Sequence, residues 1–339
     1  MKINAITRSG VAPSGWYRIG ALKSAFEIKG IEINEIIPKV SSLPPVKKIH
    51  RPGWFLAALL ERLSYLRRLK KNDITILQRE LISTIPTIER LLPGRLLLDV
   101  DDAIFLNKKG YAAINAAKAC VGVVCGNIHL ADYFSKYNKN ISIIPTGVDI
   151  DRMVVKKTRT NSDCKKIIGW IGTASNLENF NHIIPYLVAL LRERKNQVDF
   201  RIVTSHASAI PFELRQYSTF VKWYPGIEFD EIPNWSLGLM PLIDSPWTRG
   251  KCSFKMLQYM SAGIPVVASP VGMNSDVLAK GKFGFGAVSG DDWYSAIEEL
   301  INNESLNNKF GLEARHIVEE NYSLEIVVDK WLEVLENWL

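Results

Sequence analysis

Cysteine is scarce in this chain. Its four cysteines, at positions 120, 125, 164 and 252, form no C-x-x-C pair. That excludes a disulfide scaffold or a zinc ribbon and predicts free thiols in a reduced compartment. Long apolar runs are missing too. No stretch approaches the roughly 18 uncharged residues of a membrane-spanning helix. Met1–Thr7 carries one lysine and a short apolar run, so it reads as a first strand and not a leader. These absences predict a cytoplasmic protein, with any membrane contact peripheral and at the inner face. No G-x-S-x-G elbow and no H-E-x-x-H zinc motif occurs, and the loop after the first strand is not G-x-G-x-x-G. The five histidines are scattered; only His129, in CGNIHLADYF, falls at a strand-to-helix junction. There is no internal repeat and no low-complexity tract.

What is present is an ordinary folded composition, 47% hydrophobic and 23% charged. At 339 residues the chain exceeds the roughly 250–300 that one core supports, which predicts two domains. The net charge of +7 suits anionic partners such as nucleotide phosphates or an anionic membrane surface. Nucleic acid is disfavoured, because no reader motif accompanies the charge.

Short apolar segments alternate with helical patterns. In the first half, strands are predicted at Ile3–Ile6, Ile31–Ile36, Ile74–Leu77, Leu96–Val100, Val121–Val124 and Ile141–Ile144. Helices are predicted at Tyr17–Ile28, Trp54–Leu69, Ile85–Leu92, Ala112–Ala119 and Ile128–Tyr137. Such alternation is the signature of βαβ units and a parallel sheet covered on both faces. A polar, aperiodic stretch interrupts it, and the rhythm then restarts. The second set of strands is Ile167–Ile171, Asp199–Val203, Val221–Tyr224, Leu237–Met240 and Pro265–Ala268. Its main helices are Phe180–Arg192, Phe254–Ala262, Trp293–Ile301 and Glu304–Glu319. The predicted organisation is an α/β chain of two Rossmann-like domains, 1–150 and 166–322, with a linker at 151–165 and a last amphipathic helix at 323–339. Ligands in such sheets bind beyond the carboxyl ends of the strands, so the cleft between domains is the expected site.

Four stretches carry candidate chemistry. In RSGVAPSGWYRIG, Gly10 and Gly15 let backbone amides approach a phosphate before a helix near Trp16, and Arg18 adds a cation. LLLDVDDAIF ends a strand in Asp99, Asp101 and Asp102, which could hold acceptor hydroxyls; no metal is expected there. GWIGTASNLENF offers Gly172 and Thr173 in a small polar loop, where Asn176 could equally be a plain helix cap. The stretch VKKIHRPGWFLAALLERLSYLRRLKK, residues 46–71, interleaves eight Lys and Arg with apolar residues. It reads either as a membrane-surface helix or as a helix packed on the sheet with a solvated basic face.

The stretch KCSFKMLQYMSAGIPVVASPVG, residues 251–272, resembles the donor-binding segment of retaining GT-B glycosyltransferases, glycosyltransferase family 4. SGWYRI, LLLDVDDAIF, VCGNIHLADYF, IIPTGVD and GWIGTASN agree in order and spacing, so the resemblance spans nearly the whole chain. It implies two Rossmann-like domains facing across a cleft, with the last helix crossing back to the first. It also implies a nucleoside-diphosphate sugar donor and transfer, with retention, to a hydroxyl of a saccharide or lipid-linked acceptor in polysaccharide or lipopolysaccharide synthesis. Neither cofactor nor metal is implied. On this reading Gln258 meets the ribose. Lys251, with the amides of Ser253 and Phe254 and the loop at Gly15, meets the diphosphate, and Arg249 and Cys252 line the donor. Lys251, Arg18, Asp101 and Asp102 are the candidate catalytic residues. The segment departs from the family pattern: where many members carry two glutamates eight residues apart, this chain has Gly250 and Gln258, and GWIGTASNLENF lacks the usual Arg and Lys. A non-catalytic nucleotide-binding module of the same fold is the alternative.

Overall fold

The computed structural model describes residues 1–8, 13–155 and 165–338. Gly10, Cys164 and most of the expected linker lie outside the described residues. The chain divides into two compact units. The first holds Met1–Gly147, Arg249–Cys252 and Leu324–Leu339; the second holds Val148–Thr248 and Ser253–Ser323.

The first unit is built on β1 (Lys2–Ile6), β2 (Glu32–Ile36), β3 (Ile74–Gln78), β4 (Arg95–Val100), β5 (Gly122–Cys125) and β6 (Ile141–Ile143). They form one sheet in the order β2-β1-β3-β4-β5-β6, with every pairing parallel. β3 is buried at all five positions, as expected of a strand with helices on both faces. The last helix, Leu324–Glu336, belongs to this unit. Its Val327, Val328, Trp331 and Leu335 share a core with Ile3, Ile19, Leu22, Phe26 and Ile33.

The second unit contains β7 (Lys166–Ile171), β8 (Val198–Thr204), β9 (Ser218–Lys222), β10 (Leu237–Met240), β11 (Val266–Ala268) and β12 (Gly284–Gly286). Their order is β12-β11-β10-β7-β8-β9, again all parallel. Read from the other edge this is the 3-2-1-4-5-6 order of a dinucleotide-type fold. Its core gathers Trp170, Phe180, Phe200, Leu237 and Trp293.

Several elements differ from their sequence patterns. The helix predicted at Ile85–Leu92 is only a short 3-10 turn, Glu89–Leu91. Pro86 cannot donate a backbone hydrogen bond, and it disfavours a helical Ile85. Instead the buried Glu89 carboxylate accepts from the Leu81 and Thr87 amides. The helix predicted at Tyr17–Ile28 splits into Pro13–Arg18, a turn at Gly20–Leu22 and Lys23–Ile28. β9 runs Ser218–Lys222, starting three residues before the predicted strand Val221–Tyr224 and ending two before its end.

Candidate active site

In each sheet the chain order reverses beside the first strand of the unit. β1 separates β2 from β3, and β7 separates β8 from β10. At such switch points the loops leave in opposite directions and open a crevice at the carboxyl ends of the strands. The candidate residues collect at those ends, in one set for each unit.

In the first unit, β4 leads into Asp99, Val100, Asp101 and Asp102. Asp99 is fully buried against Arg18. Arg18 Nε donates to Asp99 Oδ2 at 3.1 Å, Nη2 pairs with Oδ1, and Nη1 donates to the Ile144 carbonyl at 2.8 Å. Burial raises the Asp99 carboxyl above its usual range, and the Arg18 charge opposes that rise. Burial also works against the Arg18 cation, but Asp99 overcomes it and keeps the guanidinium protonated. This corrects one expectation. Arg18 is a buried frame contact that ties its helix to β4, and these partners occupy the donors a phosphate would need. Gly15, expected in a loop, lies inside the helix Pro13–Arg18, with its carbonyl accepting from Ile19.

Asp101 and Asp102 point to another arginine. Arg79 Nε donates to Asp101 Oδ1 at 2.7 Å and Nη2 reaches Asp102 Oδ2 at 3.3 Å. Arg79 follows β3 in the left-handed region, φ 66°, a conformation that costs a non-glycine residue roughly 1–2 kcal/mol. The Asp99 carbonyl, accepting from the Arg79 amide at 2.9 Å, holds it there. Burial pushes the Asp101 carboxyl up, but Arg79 outweighs it and holds Asp101 below the usual carboxylate range. Among the described residues, no group of three or more His, Cys, Asp or Glu gathers to hold a metal ion.

The segment Arg249–Cys252 docks on this cluster. Lys251 Nζ lies 3.6 Å from Asp102 Oδ1. Cys252 Sγ donates to the Asp101 carbonyl at 3.2 Å, and burial pushes its thiol up, so it stays neutral. Asn127 Nδ2 donates to the Lys251 carbonyl at 3.0 Å and reaches the Arg249 carbonyl at 3.5 Å. The same Asn127 caps the helix Ile128–Phe134 by accepting from the Leu130 amide. The backbone at Gly250 passes so close to Ala103 that a Cβ would sit 2.7 Å from the Ala103 Cβ and 3.0 Å from its nitrogen. Only glycine fits there. His129 sits one residue into the capped helix and joins none of these contacts.

In the second unit, β7 runs into Gly172 and Thr173. The Gly172 amide donates to Val203, which removes it as a ligand donor; this too corrects an expectation. A Cβ at Gly172 would meet the Lys255 side chain at 2.4 Å, so this glycine makes room for a lysine. Lys255 Nζ lies 5.8 Å above the Trp170 ring. Thr173 is exposed, and its hydroxyl accepts from Asn176 Nδ2 at 2.8 Å; Thr173, and not Asn176, precedes the 3-10 turn Ala174–Phe180. β10 leads through the turn around Thr248 to Ser253, which is left-handed at φ 50° and starts the helix Phe254–Ser261. The Ser253 hydroxyl donates to Asn274 Oδ1 at 2.6 Å, and Asn274 Nδ2 donates to the Ser269 carbonyl. Gln258 is buried on that helix, one turn in. The first turn of a helix directs its amides and the positive end of its dipole outward, a setting for anions.

Sequence reasoning missed Arg79, Asn127 and Asn274. Asn127 carried a readable cap signal before Ile128, His129 and Leu130, whereas nothing near Arg79 or Asn274 announced their partners.

Residues 165–303 match the family model of glycosyl transferases group 1. No curated protein matches the chain in sequence. Solved structures share its fold. The sucrose-phosphate synthase of Thermosynechococcus elongatus is similar at a TM-score of 0.74 and 12% identity, over 99% of this chain and 98% of that one. Anabaena Alr3699/HepE in complex with UDP and glucose gives 0.68 and 13%, over 99% of both chains. WaaG, a glycosyltransferase involved in lipopolysaccharide biosynthesis, gives 0.68 and 14%, over 95% of this chain and 97% of that one. The two six-stranded parallel sheets with their helices are thus the two-domain, Rossmann-like GT-B fold.

Proposed function

We propose that the protein is a retaining glycosyltransferase, taking a sugar from a nucleoside-diphosphate sugar to a hydroxyl of a saccharide or lipid-linked acceptor, in the cytoplasm. The observation that carries this reading is the match of residues 165–303 to glycosyl transferases group 1, because that span holds the whole carboxyl-end set of the second unit. Uridine diphosphate sugars are the donors to try first, since a similar structure holds UDP and glucose. Work on lipopolysaccharide or a related polysaccharide is the class suggested by WaaG.

On this reading Gln258 hydrogen-bonds the ribose through its amide. The amides of Ser253 and Phe254 take the diphosphate at the helix start. Lys251, two residues before Ser253 in the chain, supplies the cation for the same diphosphate. Asp102 holds Lys251 at 3.6 Å until the donor takes its place. The sugar–oxygen bond breaks with its electron pair on the diphosphate. The acceptor oxygen bonds the same face of the sugar, and its proton passes to the leaving phosphate. Fixed cations and amides, with no metal, stabilise the charge that develops. Asp102 Oδ1 is buried without a hydrogen-bond partner and is the group on the first unit suited to an acceptor hydroxyl.

One observation favours a second reading, a nucleotide-binding module without transfer. Gly250 stands where the resemblance implies a sugar-binding glutamate, and its packing on Ala103 leaves no room for any side chain. A panel of UDP- and GDP-sugars read by thermal shift, followed by transfer assays on the donors that bind, separates the two. Binding with transfer, and a loss of about 100-fold or more in kcat for Lys251→Ala, is the expected outcome. Near-wild-type transfer by that variant sinks the assignment of Lys251. Binding with no turnover on any acceptor selects the module. Retention is checked by the anomeric configuration of the first-formed product.

A further inference from the structure

The helix Arg51–Leu63 is inside out for a surface helix. Its three charged side chains are taken up by the backbone of the connection that precedes it. Glu61 accepts from the Lys39 amide at 2.7 Å and the Val40 amide at 2.9 Å. Arg62, buried, pairs with Glu61 at 2.8 Å and donates to the Val40 carbonyl. Arg51 donates to the Pro45 carbonyl at 3.1 Å. The face left to solvent is apolar. Leu56, Leu60 and Leu63 recur at i, i+4 and i+7, the first two 58% and 59% exposed, with Ala57 exposed beside them. The chain before the helix adds Val46, 94% exposed, and Ile49, 83% exposed.

Water is a poor neighbour for such a surface. Cations flank it at both ends: Lys47 and Lys48 before the helix, and Arg67, Arg68, Lys70 and Lys71 after it, all exposed. None of these six forms an ion pair among the described residues. Glu61, the single acid in residues 46–71, is engaged by the Lys39 and Val40 amides. A second copy of this chain would bring six like charges against these six. A flat apolar row with cations at its ends matches the cross-section of an anionic bilayer, whose headgroups attract the cations while the acyl boundary takes the leucines.

We propose that the helix Arg51–Leu63 lies flat on an anionic lipid surface, with Leu56, Leu60 and Leu63 at the acyl boundary and the flanking lysines and arginines among the headgroups. The attachment is by the apolar face, and no basic face exists on this helix. The proposal stands apart from the transfer reaction, because binding is read without substrate.

Co-sedimentation with vesicles tests it, using the full chain with phosphatidylcholine alone and with phosphatidylcholine mixed with phosphatidylglycerol. The wild type is expected to sediment with the mixed vesicles at low salt. Changing Leu56 and Leu60 together to Glu lowers that binding by about ten-fold or more. Changing Lys47 and Lys48 together to Gln weakens it by about ten-fold on the mixed vesicles and leaves the phosphatidylcholine baseline unmoved. Unaltered thermal melts show that both variants fold, since all four residues are exposed. Three results overturn the proposal: wild type that stays in the supernatant with the mixed vesicles, leucine variants that sediment as well as wild type, or a solution dimer that Leu60→Glu splits into monomers.

Discussion

Two helices of the first unit have equal length and similar apolar content, yet opposite fates. Arg51–Leu63 and Leu324–Glu336 each run 13 residues. The second turns Val327, Val328, Trp331 and Leu335 into the core and sends Glu325 and Asp329 outward, where both approach Lys29. The first does the reverse: Leu56, Leu60 and Leu63 are exposed, and its charges turn toward the chain that precedes it. The difference lies in what each helix covers. The last helix lies over Ile3, Phe26 and Ile33, a hydrophobic surface. The early helix lies over the strand-to-helix connection Lys39–Pro45, whose backbone amides and carbonyls have no sheet partner. Backbone donors and acceptors without a sheet partner take side-chain partners instead, so Glu61, Arg62 and Trp54 turn toward this connection, Trp54 Nε1 donating to the Ser41 carbonyl at 2.8 Å. A helix over polar backbone needs its polar side beneath it, and the leucines are left outside.

Substitutions can break this contrast. Trp331→Ala removes a fully buried indole and is expected to cost about 3–5 kcal/mol in urea unfolding. Arg62→Leu keeps much of the bulk but strips Val40 and Glu61 of a partner, and a loss of about 1–3 kcal/mol is expected in the same measurement. Leu60→Ala, on the exposed face, is expected to change stability by less than about 0.5 kcal/mol. If Leu60→Ala cost as much as Trp331→Ala, the leucine face would be covered in the folded monomer and the contrast would fall. If Arg62→Leu were neutral, these charges would not be what turns the helix over.

Much of the fold was legible. Apolar strands alternating with helices announced two parallel sheets, and eleven of the twelve strands were anticipated in place or nearly so. The missed strand, Gly284–Gly286, has three residues of which two are glycine, and so carries no periodicity. The site was legible in part. The strand ends at Asp101 and Gly172 and the helix start at Ser253 were visible as residue types. The partnerships were not: Arg18 with Asp99 spans 81 positions and Arg79 with Asp101 spans 22. Gly250 read as the loss of a ligand-binding side chain, whereas it is also a packing requirement beside Ala103, 147 positions away.

Periodicity and composition alone determined the element types, the parallel sheets and the division into two halves, because strand and helix formation follow from patterns within some ten to twenty residues. Which side of a helix faces inward, and which charge meets which, only the tertiary structure decided. Hydrophobic pattern states that a face can be buried, but the neighbour supplied by distant sequence decides whether that face meets carbon or unpaired backbone. On Leu324–Glu336 it met carbon, and on Arg51–Leu63 it met backbone.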